Sequence, residues 1–167
     1  MENSNHFNVI VIGAGISGIG AGYYLKKNCP NKSFCIIEGR ENIGGTWDVF
    51  KYPGIRSDSD MFTLGYAFKP WKEQKTIANG PSILSYLEET VEENNLREKI
   101  KFSHKVLSAN WNSAERNWEV RAAHHEQEIL LTANFLFMGT GYYNYDEGYT
   151  PEFCLLYTSP SPRDRTT

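Results

Sequence analysis

Short apolar runs separated by a helical pattern dominate the amino-terminal part of the chain. Residues 7–12 (Phe-Asn-Val-Ile-Val-Ile) and 33–38 (Ser-Phe-Cys-Ile-Ile-Glu) are rich in β-branched side chains, which is typical of parallel strands buried on both faces. Between them, apolar positions at helical spacing predict a helix over residues 16–27, and Pro30 prevents its continuation. The pattern therefore predicts a strand–turn–helix–strand unit over residues 7–38, suited to a right-handed crossover.

The middle of the chain has no such period. In residues 41–80, glycine, proline and aromatic residues are interleaved, and an irregular segment of this length is typical of a functional loop or a ligand wrap. Residues 81–99 then predict a helix, because Pro81 suits a first helical turn and apolar residues mark one face. The glutamates of this segment are most simply its solvated side.

The apolar period becomes two in the last third of the chain. Residues 106–111, 117–122 and 128–132 predict three short strands of a meander. Residues 135–138 predict another buried strand, which ends in Gly-Thr-Gly and returns the chain to the main sheet. The order of elements predicts an α/β fold, in which a parallel sheet carries a three-stranded β-meander.

Composition and charge exclude several classes of function. The chain has 167 residues, a formal net charge of -3 and no basic tract, so nucleic acid and anionic lipid are not expected partners. Its three cysteines, Cys29, Cys35 and Cys154, imply no disulfide framework, and with no signal peptide we expect a cytoplasmic protein. His124 and His125 would point to opposite faces of a strand, so no metal site is predicted.

Two segments need separate interpretation. Residues 8–25 carry no charge, but their five glycines and their change of period argue against a membrane span. Residues 154–167 shift to Ser-Pro repeats and arginine, and they resemble the translation of a sequencing-adapter read-through. We therefore leave them out of the fold prediction and take residues 1–153 as the meaningful sequence; a disordered natural tail is the alternative.

A glycine fingerprint opens the first predicted helix. Residues 13–18 (Gly-Ala-Gly-Ile-Ser-Gly) match G-x-G-x-x-G between a strand and a helix, and Glu38 follows 20 positions after Gly18. In such a turn the first glycine bends the chain, the second admits a pyrophosphate and the third lets helix and strand pack closely. Glu38 would accept hydrogen bonds from a ribose diol and repel a 2′-phosphate, which favours FAD or NAD. The alternative is a glycine-rich turn without a ligand.

A second glycine pair favours the flavin cofactor. Residues 44–47 (Gly-Gly-Thr-Trp) follow Glu38 closely, and residues 52–58 (Tyr-Pro-Gly-Ile-Arg-Ser-Asp) come soon after. Paired glycines let backbone amides reach a ligand, and Trp47 offers a flat apolar wall. A flavin extends beyond the first phosphate site and has a use for this second wrap. Core packing is the alternative explanation for Trp47 and Tyr52.

These motifs resemble the amino-terminal part of the flavin-containing Baeyer–Villiger monooxygenases. Residues 56–61, 104–106 and 141–149 extend the resemblance, and the last run is similar to the ethionamide-activating subgroup. The resemblance implies a Rossmann-like FAD-binding domain. It also implies NADPH and O2 as co-substrates, with a C4a-peroxyflavin that inserts oxygen into ketones or oxidises sulfur or nitrogen compounds.

The resemblance also implies roles for individual residues. Positions matching FAD contacts are Gly13, Gly15, Ser17, Gly18, Glu38, Gly45, Thr46, Trp47, Asp48, Val49, Asp58 and Val106. Arg56, Ser57 and Asp58 match a strip that meets NADP, and Asp58 matches a catalytic acid near the flavin. The alternative is that the charged residues of this strip only solvate a loop.

Several family features do not occur in the sequence: a second glycine-rich turn for NADPH, a later fingerprint and a catalytic arginine. We therefore expect residues 1–153 to form the first part of an FAD-binding domain, truncated before the NADPH domain and unable to complete catalysis alone. A small organic substrate and O2 would react in the whole protein. Two alternatives stay open: another two-dinucleotide flavin oxidoreductase, which would need a cysteine pair absent from residues 41–60, and a non-catalytic nucleotide-binding module.

Overall fold

The computed structural model describes residues 5–145 and residue 148. The elements found there follow one another along the chain. They are β1 (His6–Ile12), α1 (Ile16–Asn28), β2 (Phe34–Ile37), α2 (Thr46–Val49), α3 (Met61–Leu64), α4 (Gly80–Glu93), a 3-10 helix (Arg97–Lys99), β3 (Ile100–Lys101), β4 (His104–Asn112), β5 (Asn117–His124) and β6 (Gln127–Met138). The predicted tail, residues 154–167, lies outside the described residues.

One mixed sheet of six strands organises the fold, in the order β3-β2-β1-β6-β5-β4. Strand β1 runs parallel to β2 on one side and to β6 on the other, while β4, β5 and β6 are antiparallel neighbours. Helix α1 is the crossover between β1 and β2. This confirms the predicted α/β architecture with a parallel sheet and a meander.

Two predicted strands form a single strand, β6, so their predicted boundaries are wrong. Residues 128–132 and 135–138 are parts of one strand, whose first half pairs with β5 and whose second half pairs with β1. Asn134 interrupts the apolar pattern, but its side-chain oxygen accepts hydrogen bonds from His6 and Asn8 on β1, each at 3.3 Å. A polar position inside the strand is therefore compatible with continuous pairing.

The predicted long helix is shorter than residues 81–99. Asn79 caps α4, since its side-chain oxygen accepts the Ser82 N–H at 2.8 Å. The helix ends at Glu93, because the Asn94 side chain bonds the Thr90 carbonyl and Asn95 has a positive φ of 47°. Two short helices, α2 and α3, interrupt the segment predicted to be a loop over residues 41–80.

The core lies on both faces of the sheet. On one face, alternate residues of the parallel strands, such as Val11 and Ile36, pack against α1 and α4. On the other face, Ile10 and Ile37 contact Val120 and further residues of the meander. No helix among the described residues is long and apolar enough to cross a membrane.

Two tyrosines fasten the irregular middle segment to the helices. The Tyr66 hydroxyl donates a hydrogen bond to the Ile16 carbonyl of α1. The Tyr86 hydroxyl of α4 accepts the Tyr66 N–H at 2.7 Å and donates to the Lys69 carbonyl at 2.6 Å. The segment that follows the second glycine pair is therefore anchored to α1 and α4.

The burial of one thiol and two tyrosine hydroxyls predicts that the fold loses stability at high pH. Burial raises the pKa of the Cys35 thiol to about 12 and also raises the pKa values of Tyr66 and Tyr86. In the unfolded chain a thiol titrates near 8.5 and a tyrosine near 10. Because the folded pKa values are the higher ones, this stabilisation is complete below about pH 8.5 and is lost as the pH rises toward the folded values.

We expect the free energy of unfolding, measured by urea denaturation, to fall between about pH 8.5 and pH 11. Tyr66→Phe should make this dependence shallower, whereas Tyr24→Phe, at a half-exposed ring, should leave it unchanged. Equal unfolding midpoints at neutral and alkaline pH would contradict the prediction.

Candidate dinucleotide-binding site

The glycine fingerprint forms the turn between β1 and α1. The Gly13 N–H donates to the Ile37 carbonyl of β2 at 2.8 Å, which ties the turn to the neighbouring strand. A Cβ atom on Gly18 would lie 1.8 Å from the Gly13 carbonyl oxygen, so helix and turn approach too closely for any side chain there. Gly15 differs, since its Cβ would meet only the Gly45 Cα atom at 3.7 Å and the Gly45 nitrogen at 4.0 Å.

The first turn of α1 is suited to an anion. Its N-cap, Gly15, provides no side-chain cap, and the first turn carries no acidic residue. The helix thus presents backbone N–H groups and the positive end of its dipole, with no carboxylate of its own first turn in competition. A diphosphate is a ligand of the right charge for this position.

Glu38 closes the other side of the turn. Its side chain is 10% exposed; Oε2 accepts the Ala14 N–H at 2.8 Å and Oε1 accepts the Arg40 N–H at 3.0 Å. A carboxylate has about four lone-pair directions, so both oxygens retain acceptor capacity for hydroxyl groups. Two backbone donors therefore fix the acid beside the glycine turn.

The second glycine pair lies directly against the first glycine turn. The Gly44 N–H donates to the Ala14 carbonyl at 2.9 Å, and a Cβ on Gly45 would lie 3.2 Å from the Gly15 Cα atom. Gly44 and Gly45 have φ values of 112° and 55°, which side chains of L-residues disfavour. The loop then continues into α2, whose first residues are Thr46 and Trp47.

A cavity of about 640 Å³ lies between these elements, a size typical of ligand pockets. It brings together most residues predicted to contact FAD. These lining residues are Gly13, Gly15, Ser17, Glu38, Gly45, Thr46, Trp47 and Val106. Trp47 also lines a second cavity of about 1030 Å³ on the other side of the loop.

Some predicted site residues lie elsewhere. Gly18 packs behind the turn, and Asp48 and Val49 do not line the first cavity. Asp48 instead accepts a hydrogen bond from Arg40 Nη1 at 3.1 Å. Direct contact of these three side chains with a ligand in this cavity therefore stays a prediction.

The predicted NADP strip is divided between environments. Arg56 is exposed and lines the second cavity together with Lys51 and Lys75. Ser57 is buried, where its Oγ accepts the Ala78 N–H at 3.1 Å. Asp58 is exposed and is not part of either cavity.

Sequence reasoning missed two groups of lining residues. Arg40 reaches the second glycine pair, and Tyr143 and Tyr145 close the cavity opposite the loop. The Tyr145 and Thr46 hydroxyls are 3.3 Å apart. No local pattern indicates that contact, because the residues are 99 positions apart. In the carboxyl-terminal part of the chain, the sequence feature that could have indicated these lining residues is Gly139-Thr140-Gly141, which also lines the cavity.

Three histidines, His104, His124 and His125, lie close together where β4 borders the cavity. His104 lines the cavity and stacks on His124, with ring centroids 4.1 Å apart. Burial, and then the neighbouring His124, Lys101 and His125, lower the pKa of His104. His125 follows the end of β5 with a positive φ, and its ring is 4.3 Å from His124, so the predicted opposite orientation is wrong. Among residues 5–145 and 148, no cluster of His, Cys, Asp or Glu could hold a metal ion.

A crossover helix opened by a glycine turn, with an acid at the end of the next strand, defines a Rossmann-like dinucleotide-binding domain. The family described as NAD(P)-binding Rossmann-like domain matches residues 11–73.

The chain is also similar to known flavoproteins. It is 53% identical over 150 residues to the FAD-containing monooxygenase EthA of Mycolicibacterium smegmatis, covering 90% of this chain and 30% of that protein. The EthA of Mycobacterium tuberculosis is 51% identical over 150 residues, covering 90% and 31%. The chain therefore spans about a third of the length of these curated relatives.

The chain is also similar to solved structures of monooxygenases. An oxidized steroid monooxygenase bound to NADP has a TM-score of 0.77 at 29% identity, covering 89% of this chain and 28% of that one. OTEMO in complex with FAD and NADP has a TM-score of 0.74 at 29% identity, covering 87% and 27%. Open cyclohexanone monooxygenase has a TM-score of 0.74 at 29% identity, covering 81% and 27%. The chain is homologous to the amino-terminal portion of FAD-containing, Baeyer–Villiger-type monooxygenases.

Proposed function

We propose that the chain holds FAD, with the adenosine diphosphate half in the cavity between the two glycine turns. One observation carries this proposal: the glycine fingerprint and the second glycine pair are in direct contact, and the carboxylate of Glu38 is held beside them by two backbone N–H groups. The α1 N-terminus would bind the diphosphate, Glu38 the adenosine ribose, and the β4 segment at Val106 the adenine. These groups fit FAD in charge and in hydrogen-bonding capacity.

The position of Trp47 supports a ligand longer than a simple nucleotide. Its ring borders both the adenosine-side cavity and the larger second cavity. A flavin leaving the diphosphate site would pass Gly45, Thr46 and Trp47 and reach the second cavity. The contact of Tyr145 with Thr46 would cover that path and limit the access of water.

We further propose that the whole protein is a monooxygenase. Bound FAD would supply electron transfer from NADPH to O2, so that one oxygen atom enters a small organic ketone, sulfur or nitrogen compound and the other leaves as water. The chain of 167 residues would bind the cofactor without completing that reaction. The cytoplasm is the proposed compartment.

The NADP strip has a proposed role of its own. Arg56, with Lys51 and Lys75 around the second cavity, would attract the phosphates of NADP. Ser57 would contribute by fixing the strip in place, because both its hydroxyl and its backbone N–H are bonded to Ala78. Asp58 stays the proposed acid near the flavin, by resemblance alone.

The two alternative functions, a disulfide-reducing flavoenzyme and a simple nucleotide-binding module, predict different properties of the chain. A disulfide-reducing flavoenzyme needs a reactive cysteine pair beside the flavin loop, but Cys35 is 2% exposed within β2 and its thiol pKa is raised by burial. A simple nucleotide-binding module would not discriminate in favour of a flavin. That difference can be measured.

Calorimetric titration of the chain with FAD, ADP and NAD tests the proposal. We expect FAD to bind at least about tenfold more tightly than ADP or NAD, because only FAD carries a flavin that would pass Thr46 and Trp47 and fill the second cavity. The bound flavin should be released unmodified on denaturation. NAD affinity equal to that of FAD would support the nucleotide-binding module and contradict our proposal.

A further inference from the structure

Arg40 connects the two walls of the cavity. Its Nη1 donates to Asp48 Oδ2 at 3.1 Å and its Nη2 donates to the Gly45 carbonyl at 3.2 Å. Its Nε lies 3.6 Å from Glu38 Oε1, the oxygen that also accepts the Arg40 N–H. One guanidinium thus contacts the ribose-side acid, the second glycine pair and the first turn of α2.

The surroundings make this contact stronger than an ordinary surface ion pair. The Arg40 side chain is 34% exposed, but its partners Glu38 and Asp48 are only 10% and 13% exposed. Partly buried carboxylates are screened less by water, and the rigid guanidinium fork holds several acceptors in a fixed geometry. The opposite case is Arg97, whose pair with Glu92 is exposed on both sides, at 49% and 63%.

The loop that Arg40 holds has little intrinsic rigidity. Gly44 and Gly45 have no side chains to restrict their dihedral angles, so the orientation of their amides depends on external contacts. The Gly44 N–H is bonded to Ala14, while the Gly45 carbonyl is bonded to Arg40.

We propose that Arg40 is a positioning residue that couples the ribose end of the cavity to the flavin-side loop. It fixes the segment from Gly45 to Asp48 relative to Glu38, so that both halves of FAD find their contacts at once. This inference rests on the proposed function. It implies that Arg40 contributes more to the binding of FAD, whose flavin half would pass along the segment from Gly45 to Asp48, than to the binding of ADP, which ends at the diphosphate.

Titrations of FAD and ADP into the wild-type chain and three variants test the coupling. We expect Arg40→Met to weaken FAD binding by about tenfold to a hundredfold and ADP binding by less than about threefold. Arg40→Lys should fall between, because an ammonium cannot hold all three acceptors. Arg97→Met, the matched control, should change neither affinity. Equal weakening of FAD and ADP, or no weakening, would overturn the coupling.

Amide hydrogen exchange without ligand gives an independent readout. Arg40→Met should accelerate exchange in residues 44–50 severalfold and leave α4 unchanged, since the variant releases the loop but not the core. Unchanged exchange in residues 44–50 would overturn the positioning role. If the wild-type chain bound no FAD while the loop still responded, the proposed function would fail and the structural role of Arg40 would stand.

Discussion

Glu38→Arg is expected to remove most FAD binding, with an affinity loss of about a hundredfold or more. The change deletes the acceptor proposed for the ribose hydroxyls. It also deletes the partner of the Ala14 and Arg40 N–H groups and places a second cation beside Arg40. An unpaired backbone donor in a buried position and a like-charge contact both oppose the bound conformation.

The affinity for FAD, measured by titration, is the readout, and circular dichroism shows whether the variant is folded. Glu88→Arg, an exposed change on α4, is the matched control and should bind FAD like the wild type. ADP carrying a 2′-phosphate should gain affinity relative to ADP in Glu38→Arg, because the new cation attracts that phosphate. Unchanged FAD affinity in a folded variant would remove the ribose role of Glu38.

Gly18→Ala is expected to destabilise the fold by about 3 kcal/mol or more, at the upper end of overpacking effects. The new Cβ would lie 1.8 Å from the carbonyl oxygen and 2.9 Å from the carbonyl carbon of Gly13. Both are backbone atoms of a turn that is bonded to β2, so neither can move without breaking the contact between turn and sheet. Urea denaturation measures the effect.

Gly15→Ala is the matched comparison at the same turn. Its Cβ would make only ordinary van der Waals contact with Gly45, so stability should change by less than about 1 kcal/mol. The methyl group would project between the two glycine turns, so FAD affinity should fall by about tenfold or more. The opposite pattern, with Gly18→Ala tolerated and Gly15→Ala unfolded, would contradict the roles assigned to the two glycines.

Local patterns predicted the parts of the site that are close together in sequence. The strand–turn–helix–strand unit and the acid at the end of β2 follow from spacing over about thirty residues. Spacing is sufficient there because a crossover unit forms from consecutive elements. The second glycine pair was also recognisable, although its direct contact with Ala14 and Gly15 was not.

Spacing was insufficient where long-range contacts decide the arrangement. The two predicted strands merge into β6 because its second half pairs with β1 while its first half pairs with β5. Ser57 is buried because Ala78, 21 positions later, pairs with it. Neither partner can be found from a period of two or of 3.6 residues.

The sequence by itself determined the glycine turn, the acid beside it and the second glycine pair, since each depends on residue type at a short spacing. Only the tertiary structure decided that Arg40 links this acid to that loop and that Tyr145 meets Thr46 across the cavity. The physical reason is that such contacts depend on both distance and direction. A hydrogen bond or an ion pair requires specific atoms within a few ångströms, and the packing of the whole sheet sets those distances.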